Sequence, residues 1–358
     1  MNSFAQRVVA WQRIHGRHGL PWQDTRDPYR IWLSEIMLQQ TQVTAVVPYY
    51  QRFLASFPDV ASLARAPLDD VLAHWSGLGY YRRAHMLHAA AKEIIRDHAG
   101  EFPRDVAAIA MLPGVGRSTA AAIAVFAFGT QAVILEGNVK RVLARHRGIG
   151  GWPGVRKVEM ALWKAATGLA PSRDIETYTQ GMMDLGATVC TRAAPRCGEC
   201  PLAADCVARA ENRVDTLPSP RPRRQLPQRS VRVLLIERDG AILFEKRPAI
   251  GIWGGLWSLP ECAIEADVNV AVVARFGHGI RMLDALPSIE HGFTHFALTM
   301  HPQRAQVAHG NHVAQTSESV WMTPHDASAA ALPAPIKRLM RALAHQPPAA
   351  PPLQVQPG

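Results

Sequence analysis

Four of the chain's five cysteines, Cys190, Cys197, Cys200 and Cys206, sit in "CTRAAPRCGECPLAADC" with gaps of six, two and five residues. Thiolates are soft metal ligands. Four within seventeen residues are gathered too tightly for the two separated knuckles of a zinc ribbon, and suit one [4Fe–4S] cubane wrapped by a short loop. A single zinc ion is the competing reading. Clustering of this kind also argues against scattered disulfides and for a reducing compartment. Cys262 stands apart and reads as an ordinary buried thiol.

A second stretch, "LPGVGRSTA" at 112–120, places two glycines around a valine ahead of an alanine-rich run. A helix ending near Met111, a turn through Pro113, Gly114, Val115 and Gly116, and a second helix from about Ser118 make a helix-hairpin-helix. Its exposed backbone N–H groups can hold a phosphate oxygen. Taken alone, the same turn could be a helix connection whose glycines only permit close packing.

These features need a helical frame, and the sequence supplies one from Ala5 to about Val207. In "IWLSEIMLQQTQVTAVV" the apolar Leu33, Ile36, Met37, Val43 and Val47 recur near a 3.6 period, while Glu35, Gln39 and Gln42 share a polar face. Amphipathic segments follow at 68–76, 82–98, 117–128, 138–147, 155–168 and 175–187, punctuated by Phe57-Pro58, Phe102-Pro103 and Leu112-Pro113. The Pro/Arg stretch "LPSPRPRRQLPQRS" at 217–230 has no period and reads as a linker. It is also the densest basic cluster, so a solvated tether and a phosphate contact both stand. Beyond it, "VRVLLIERDGAILFEKR" alternates around Asp239-Gly240 as a hairpin, "HGFTHFALTMHP" reads as a further strand and "PAPIKRLMRALA" as a closing helix.

The bulk properties set bounds. A chain of 358 residues exceeds the usual single domain, so two are expected. Lys plus Arg outnumber Asp plus Glu by 39 to 29, a formal charge of +10 that favours polyanionic partners. No apolar run reaches the roughly 18 residues of a spanning helix, and Met1 to Gln12 lacks a signal-peptide core, so a cytoplasmic protein is expected.

The helix-hairpin-helix, the C-x6-C-x2-C-x5-C loop and "SEIMLQQTQV" together resemble the endonuclease III superfamily of base-excision DNA glycosylases, and within it the MutY-type adenine glycosylases. The match is close over about 5–210 and looser over 229–345. It implies a multidomain fold: an all-α helix-hairpin-helix glycosylase domain at 1–210 with an iron–sulfur cluster loop, a linker at 211–229, an α+β Nudix-like domain at 230–345 and a disordered tail at 346–358. The implied substrate is adenine mispaired with 8-oxoguanine or guanine in double-stranded DNA. The implied agent is a monomer on the DNA of the nucleoid.

Hydrolysis of an N-glycosidic bond needs an acid to protonate the leaving base and an anion to stabilise the oxocarbenium-like sugar. By resemblance, Glu35 is the acid and Glu136 the anion, with Asn138 hydrogen-bonding near it and Arg141 linking that helix to the cluster loop. The family carries Asp where this chain has Glu136 in "EGNVKRVLAR". The extra methylene moves the carboxylate by about 1.5 Å, and a misplacement of about 1 Å can cost ~10²-fold in rate. A competent but slower enzyme is expected. Ser118 stands where bifunctional relatives have lysine. A serine forms no Schiff base with the sugar, so the reaction is expected to stop at an abasic site.

The base must be extruded to be reached. Gln40 and Tyr80 match residues inserted around the orphaned partner base, and Gly114, Val115 and Gly116 the DNA-holding turn. Leu20, Trp22 and Gln180 match the adenine pocket, with core packing the competing reading for the first two. In the second domain no glutamate-rich Nudix box follows "WGGLWSLPE". Nucleotide hydrolysis is therefore not expected. Phe293, Thr294 and His295 stand where the family's Phe-Ser-His loop reads 8-oxoguanine; three residues of an amphipathic strand would look alike. Two other functions stay open: a thymine or uracil mismatch glycosylase, and a mismatch-binding protein whose chemistry is damped by Glu136.

Overall fold

A computed structural model of the chain describes residues 3–222, 225–276, 279–293, 295–307 and 318–345. It divides into two compact units. One comprises 3–66 with 85–222; the other comprises 67–84 with the described residues from 225 onward.

The first unit is helical. Helix Pro28–Leu38 starts where the Asp27 side chain accepts the Tyr29 N–H and Pro28 presets the first turn. It buries Ile31, Trp32, Leu33, Ile36 and Met37, which leaves Glu35 on its less buried side. The periodic run read from the sequence is not one helix. Gln40 takes a φ of 58°, in the left-handed region a non-glycine side chain disfavours, and a second helix, Val43–Ser56, follows with Gln42 at its N-cap.

Helix Arg117–Phe128 lies against Pro28–Leu38. Its buried Ala120, Ala121, Ala122 and Ala124 let it run through the interior. Helix Phe4–His15 packs on Ile175–Asp184, and Val8, Val125, Leu143, Leu162 and Leu185 form the centre of that core, each fully buried. Burying such a side chain contributes about 1.5–3 kcal/mol. Beyond Asp184 the chain makes a single π-helical turn, Leu185–Val189, that delivers Cys190; such turns recur at functional sites.

The second unit is built on a mixed sheet of β1 (Gln228–Arg238), β2 (Ala241–Lys246), β3 (Trp257–Ser258), β4 (Glu261–Cys262), β5 (Ile280–Ala285), β6 (Ile289–Gly292), β7 (Ala297–Val307) and β8 (Ser319–Met322). The order is β3-β2-β1-β7-β5, with β4 on β1, β6 on β7 and β8 on β2. β1 and β7 run parallel from Gln228↔Ala297 to Glu237↔Gln306, and the other pairs are antiparallel. Asp239 (φ 51°) and Gly240 (φ 78°) turn β1 into β2 as the sequence suggested, both central residues being left-handed as a tight hairpin demands. Helix Ala334–Ala344 matches the expected closing helix.

"HGFTHFALTMHP" is two strands rather than one. The chain leaves β6 at Gly292, turns, and re-enters the sheet at Ala297, with the Phe293 N–H bonded to the Phe296 carbonyl at 2.8 Å. The period-2 pattern does not reveal that break, because Phe293 and Phe296 are apolar residues in a turn. Cys262 is half-buried against the apolar cluster of this unit. The segment 67–84 is fastened to the sheet unit: Lys246 pairs with Asp69, Tyr81 Oη donates to the Leu332 carbonyl at 3.2 Å, and Lys337 Nζ donates to Ser76 Oγ at 2.9 Å. The tail at 346–358 lies outside the described residues.

Candidate active site

A cavity of about 540 Å³ opens among the helices of the first unit, and Leu20, Trp22, Glu35 and Gln180 all line it. The acid and the three pocket residues expected from sequence therefore meet. Trp22 also packs in the core: it is 9% exposed and sets its ring edge-on to Tyr50, centroids 5.3 Å apart. One indole serves as both core and cavity wall.

Burial pushes the Glu35 carboxyl up to about 7, and the nearby Glu136 carboxylate adds to the shift. Desolvation disfavours the charged form, so Glu35 can hold a proton near neutral pH. Glu136 is the N-cap of helix Gly137–His146, its Oε2 accepting from Asn138 N at 2.8 Å and its Oε1 from Val139 N at 2.9 Å. Burial raises its pKa; the two N–H donors, Arg141 and Arg17 pull it back down. The Glu136 carboxylate is thus held as the N-cap of its own helix. Asn138 Oδ1 accepts from Arg141 Nη2 at 2.7 Å, and the same guanidinium donates to the Cys190 carbonyl at 2.7 Å. The expected bridge from this helix to the cysteine loop is present.

The hairpin forms between helices Val106–Met111 and Arg117–Phe128. Gly114 has a φ of 78°, and a Cβ there would lie 2.7 Å from the Met86 Cβ, so only glycine fits. Val115 is buried at 7% exposure and anchors the turn, while Gly116 is the N-cap of the second helix. Ser118 Oγ accepts the Leu135 N–H at 2.9 Å.

All four clustered cysteines line one small cavity together with Arg145. No three His, Cys, Asp or Glu side chains among the described residues stand close enough to hold a single metal ion. Burial raises the Cys200 thiol to about 11 and also lifts Cys206.

Arg145, 3% exposed, was not singled out from sequence. It donates to the carbonyls of Leu217 (2.9 Å), Thr191 (2.6 Å) and Arg192 (3.3 Å) and lies 3.4 Å from the Cys190 sulfur. Arg17 and Asp184 were likewise missed. Their ion pair at 2.7 Å joins residues far apart in sequence, which leaves no local signal.

Gln40 is exposed, and its strained backbone caps the gap between two helices. Tyr80, in the second unit, is 47% exposed and also left-handed, with φ 52°; exposure of that size argues against a core role. Arg83 lies over the rings of both Tyr80 (5.2 Å) and Trp75 (5.5 Å), steadying the loop. Phe293 sits in an aromatic group with Trp253 (5.1 Å), His291 (4.7 Å) and Phe296 (4.5 Å), and His295 is exposed beside it. Thr294 lies outside the described residues.

Residues 33–167 match the family model of HhH-GPD superfamily base excision DNA repair proteins, and residues 232–342 that of the NUDIX domain. The chain is 33% identical over 338 residues to an adenine DNA glycosylase of Buchnera aphidicola subsp. Acyrthosiphon pisum (strain APS), covering 94% of this chain and 96% of that relative. It is 30% identical over 411 residues to an adenine DNA glycosylase of Homo sapiens, covering 97% of this chain and 75% of the relative. Among solved structures it is similar to a thermostable thymine-DNA glycosylase, at 29% identity and a TM-score of 0.54 over 58% of this chain and 95% of that one. A non-covalent endonuclease III–DNA complex shares the fold at 22% identity, with a TM-score of 0.50 over 58% and 94% of the two chains.

Proposed function

Because the chain belongs to the adenine DNA glycosylase family, we propose that it excises adenine paired with 8-oxoguanine or guanine from duplex DNA and stops at the abasic site. The observation that carries the reading is Glu35, raised to about 7 on the wall of a cavity shared with Trp22, Leu20 and Gln180.

An extruded adenine enters that cavity, with Trp22 and Leu20 against its faces. Glu35 gives a proton to the base, so that the leaving group departs neutral, and then accepts one from the attacking water. Glu136 stabilises the cationic sugar; two backbone N–H donors, Arg141 and Arg17 oppose the desolvation that raises its pKa. Ser118, committed to the Leu135 N–H, has no amine to attack the sugar. Gln40 contacts the opened duplex from the first unit; in the second, Tyr80 is a DNA contact and Phe293, Thr294 and His295 read the 8-oxoguanine. The +10 charge and the Gly114–Gly116 turn hold phosphates.

Cys190, Cys197, Cys200 and Cys206 would hold a [4Fe–4S] cluster. All four line one small cavity, and four thiols gathered by one short loop suit a cubane. When bound, the cluster cross-links four points of the loop.

A timed excision assay on duplexes carrying A:8-oxoguanine, G:T and G:U tests the reading. Release from the first alone is expected. The G:T arm is needed because 58% of the chain is similar to a thymine-DNA glycosylase at 29% identity. Tight binding without an alkali-labile site would support a mismatch-binding protein.

A further inference from the structure

The Asp184 side chain is wholly buried, 0% exposed, yet it makes no contact of its own with the cavity. Its Oδ2 accepts the Arg17 backbone N–H at 2.9 Å, and its Oδ1 accepts both Arg17 Nε at 2.7 Å and Gln180 Nε2 at 2.8 Å. Arg17 and Gln180 do line the cavity. Both Asp184 oxygens act as acceptors here, so the side chain fixes which end of the Gln180 amide faces it. One N–H of the amide is held by Asp184, so the nitrogen end is anchored there and the carbonyl Oε1 is the opposite end of a residue that lines the cavity.

We infer that Asp184 is a positioning residue that sets base specificity by presenting Gln180 to the cavity as an acceptor. The class of base it selects bears a hydrogen-bond donor on its six-membered ring, such as the 6-amino group of adenine. A base with a carbonyl oxygen or a bare C–H at that place leaves the Gln180 carbonyl unpaired. Such mismatches are penalised because a buried polar group loses its partner. The inference rests on reading this cavity as the adenine pocket.

The test is single-turnover excision by the cluster-loaded full chain, opposite 8-oxoguanine, of adenine and of unsubstituted purine, which lacks only the 6-amino group. Wild type and Asp184→Asn are compared. An asparagine can offer its own NH₂, so Gln180 is free to turn. Wild type is expected to prefer adenine, and Asp184→Asn to shrink that preference about tenfold, whatever it does to the absolute rate.

Equal losses on both bases would overturn the inference, since a purely structural role slows both alike. Should Asp184→Asn fail to fold, Gln180→Met with Asp184 intact decides: the preference is expected to collapse, and a preserved preference contradicts the inference. Wild type that releases neither base would instead sink the reading of the cavity.

Discussion

The hydroxyl of Ser118 accepts the backbone N–H of Leu135 at 2.9 Å, which ties the second hairpin helix to the residue just before Glu136. Leu135 is 3% exposed, so its N–H has little access to water. Ser118→Ala is expected to lower stability by about 1–3 kcal/mol, measured by chemical denaturation. The wild-type product should be an intact strand that breaks only on alkali treatment. Ser118→Lys should give some breakage without alkali, and prompt scission by wild type would contradict a monofunctional reaction.

Glu35 links stability to pH. Its pKa lies raised from an ordinary 4.5 to about 7 in the folded chain, so the folded state binds a proton that the unfolded state has already lost. The associated stability is fully present below about pH 4.5 and is lost as pH rises to about 7, by up to about 3 kcal/mol. Glu35→Gln, which never ionises, should therefore melt higher than wild type at pH 8, with the difference shrinking toward pH 5. A difference that does not change with pH would show that Glu35 titrates normally.

At position 136 the carboxylate reaches both Asn138 N and Val139 N, a capping task for which the shorter Asp is better suited than Glu. Glu136→Asp is expected to excise adenine faster, by up to ~10²-fold if the misplacement is as large as the methylene allows. Single-turnover kinetics would measure it. A slower Asp variant would mean that the site is built around the longer side chain.

Arg145 should be the least replaceable residue around the cysteine loop. Its guanidinium satisfies three carbonyls in fixed directions at 3% exposure, a task that one ammonium cannot span. Arg145→Met is expected to cost about 3 kcal/mol or more and to bleach the broad visible absorption of a bound cluster. Arg145→Lys should recover only part of either. A stable, fully coloured Met variant would show that the loop is held by other means.

The cysteine loop and the hairpin were legible because their chemistry is local: spacing alone gathers four thiols, and Pro-Gly-Val-Gly alone makes the turn. Helix Arg117–Phe128, the Asp239-Gly240 hairpin and the closing helix were legible from period and turn chemistry. What the sequence hid is non-local or conformational. Arg17 meets Asp184 across 167 positions, and Arg145 gathers carbonyls from two distant loops, so neither has a pattern to find. The interruption at Gln40 and the turn after β6 were missed because both use residues that fit the surrounding periodicity while the backbone departs from it.

The central claim is that Glu35 supplies the proton that frees adenine. The direct measurement is a timed single-turnover excision on A:8-oxoguanine duplex by wild type and Glu35→Gln, across pH 5.5 to 9. Wild-type rate is expected to fall as pH passes about 7, where the acid loses its proton, and Glu35→Gln to be slower by about 10²–10⁴-fold with that inflection gone. A glutamine variant that matches wild type, or one that is slow but keeps the same inflection, would contradict it.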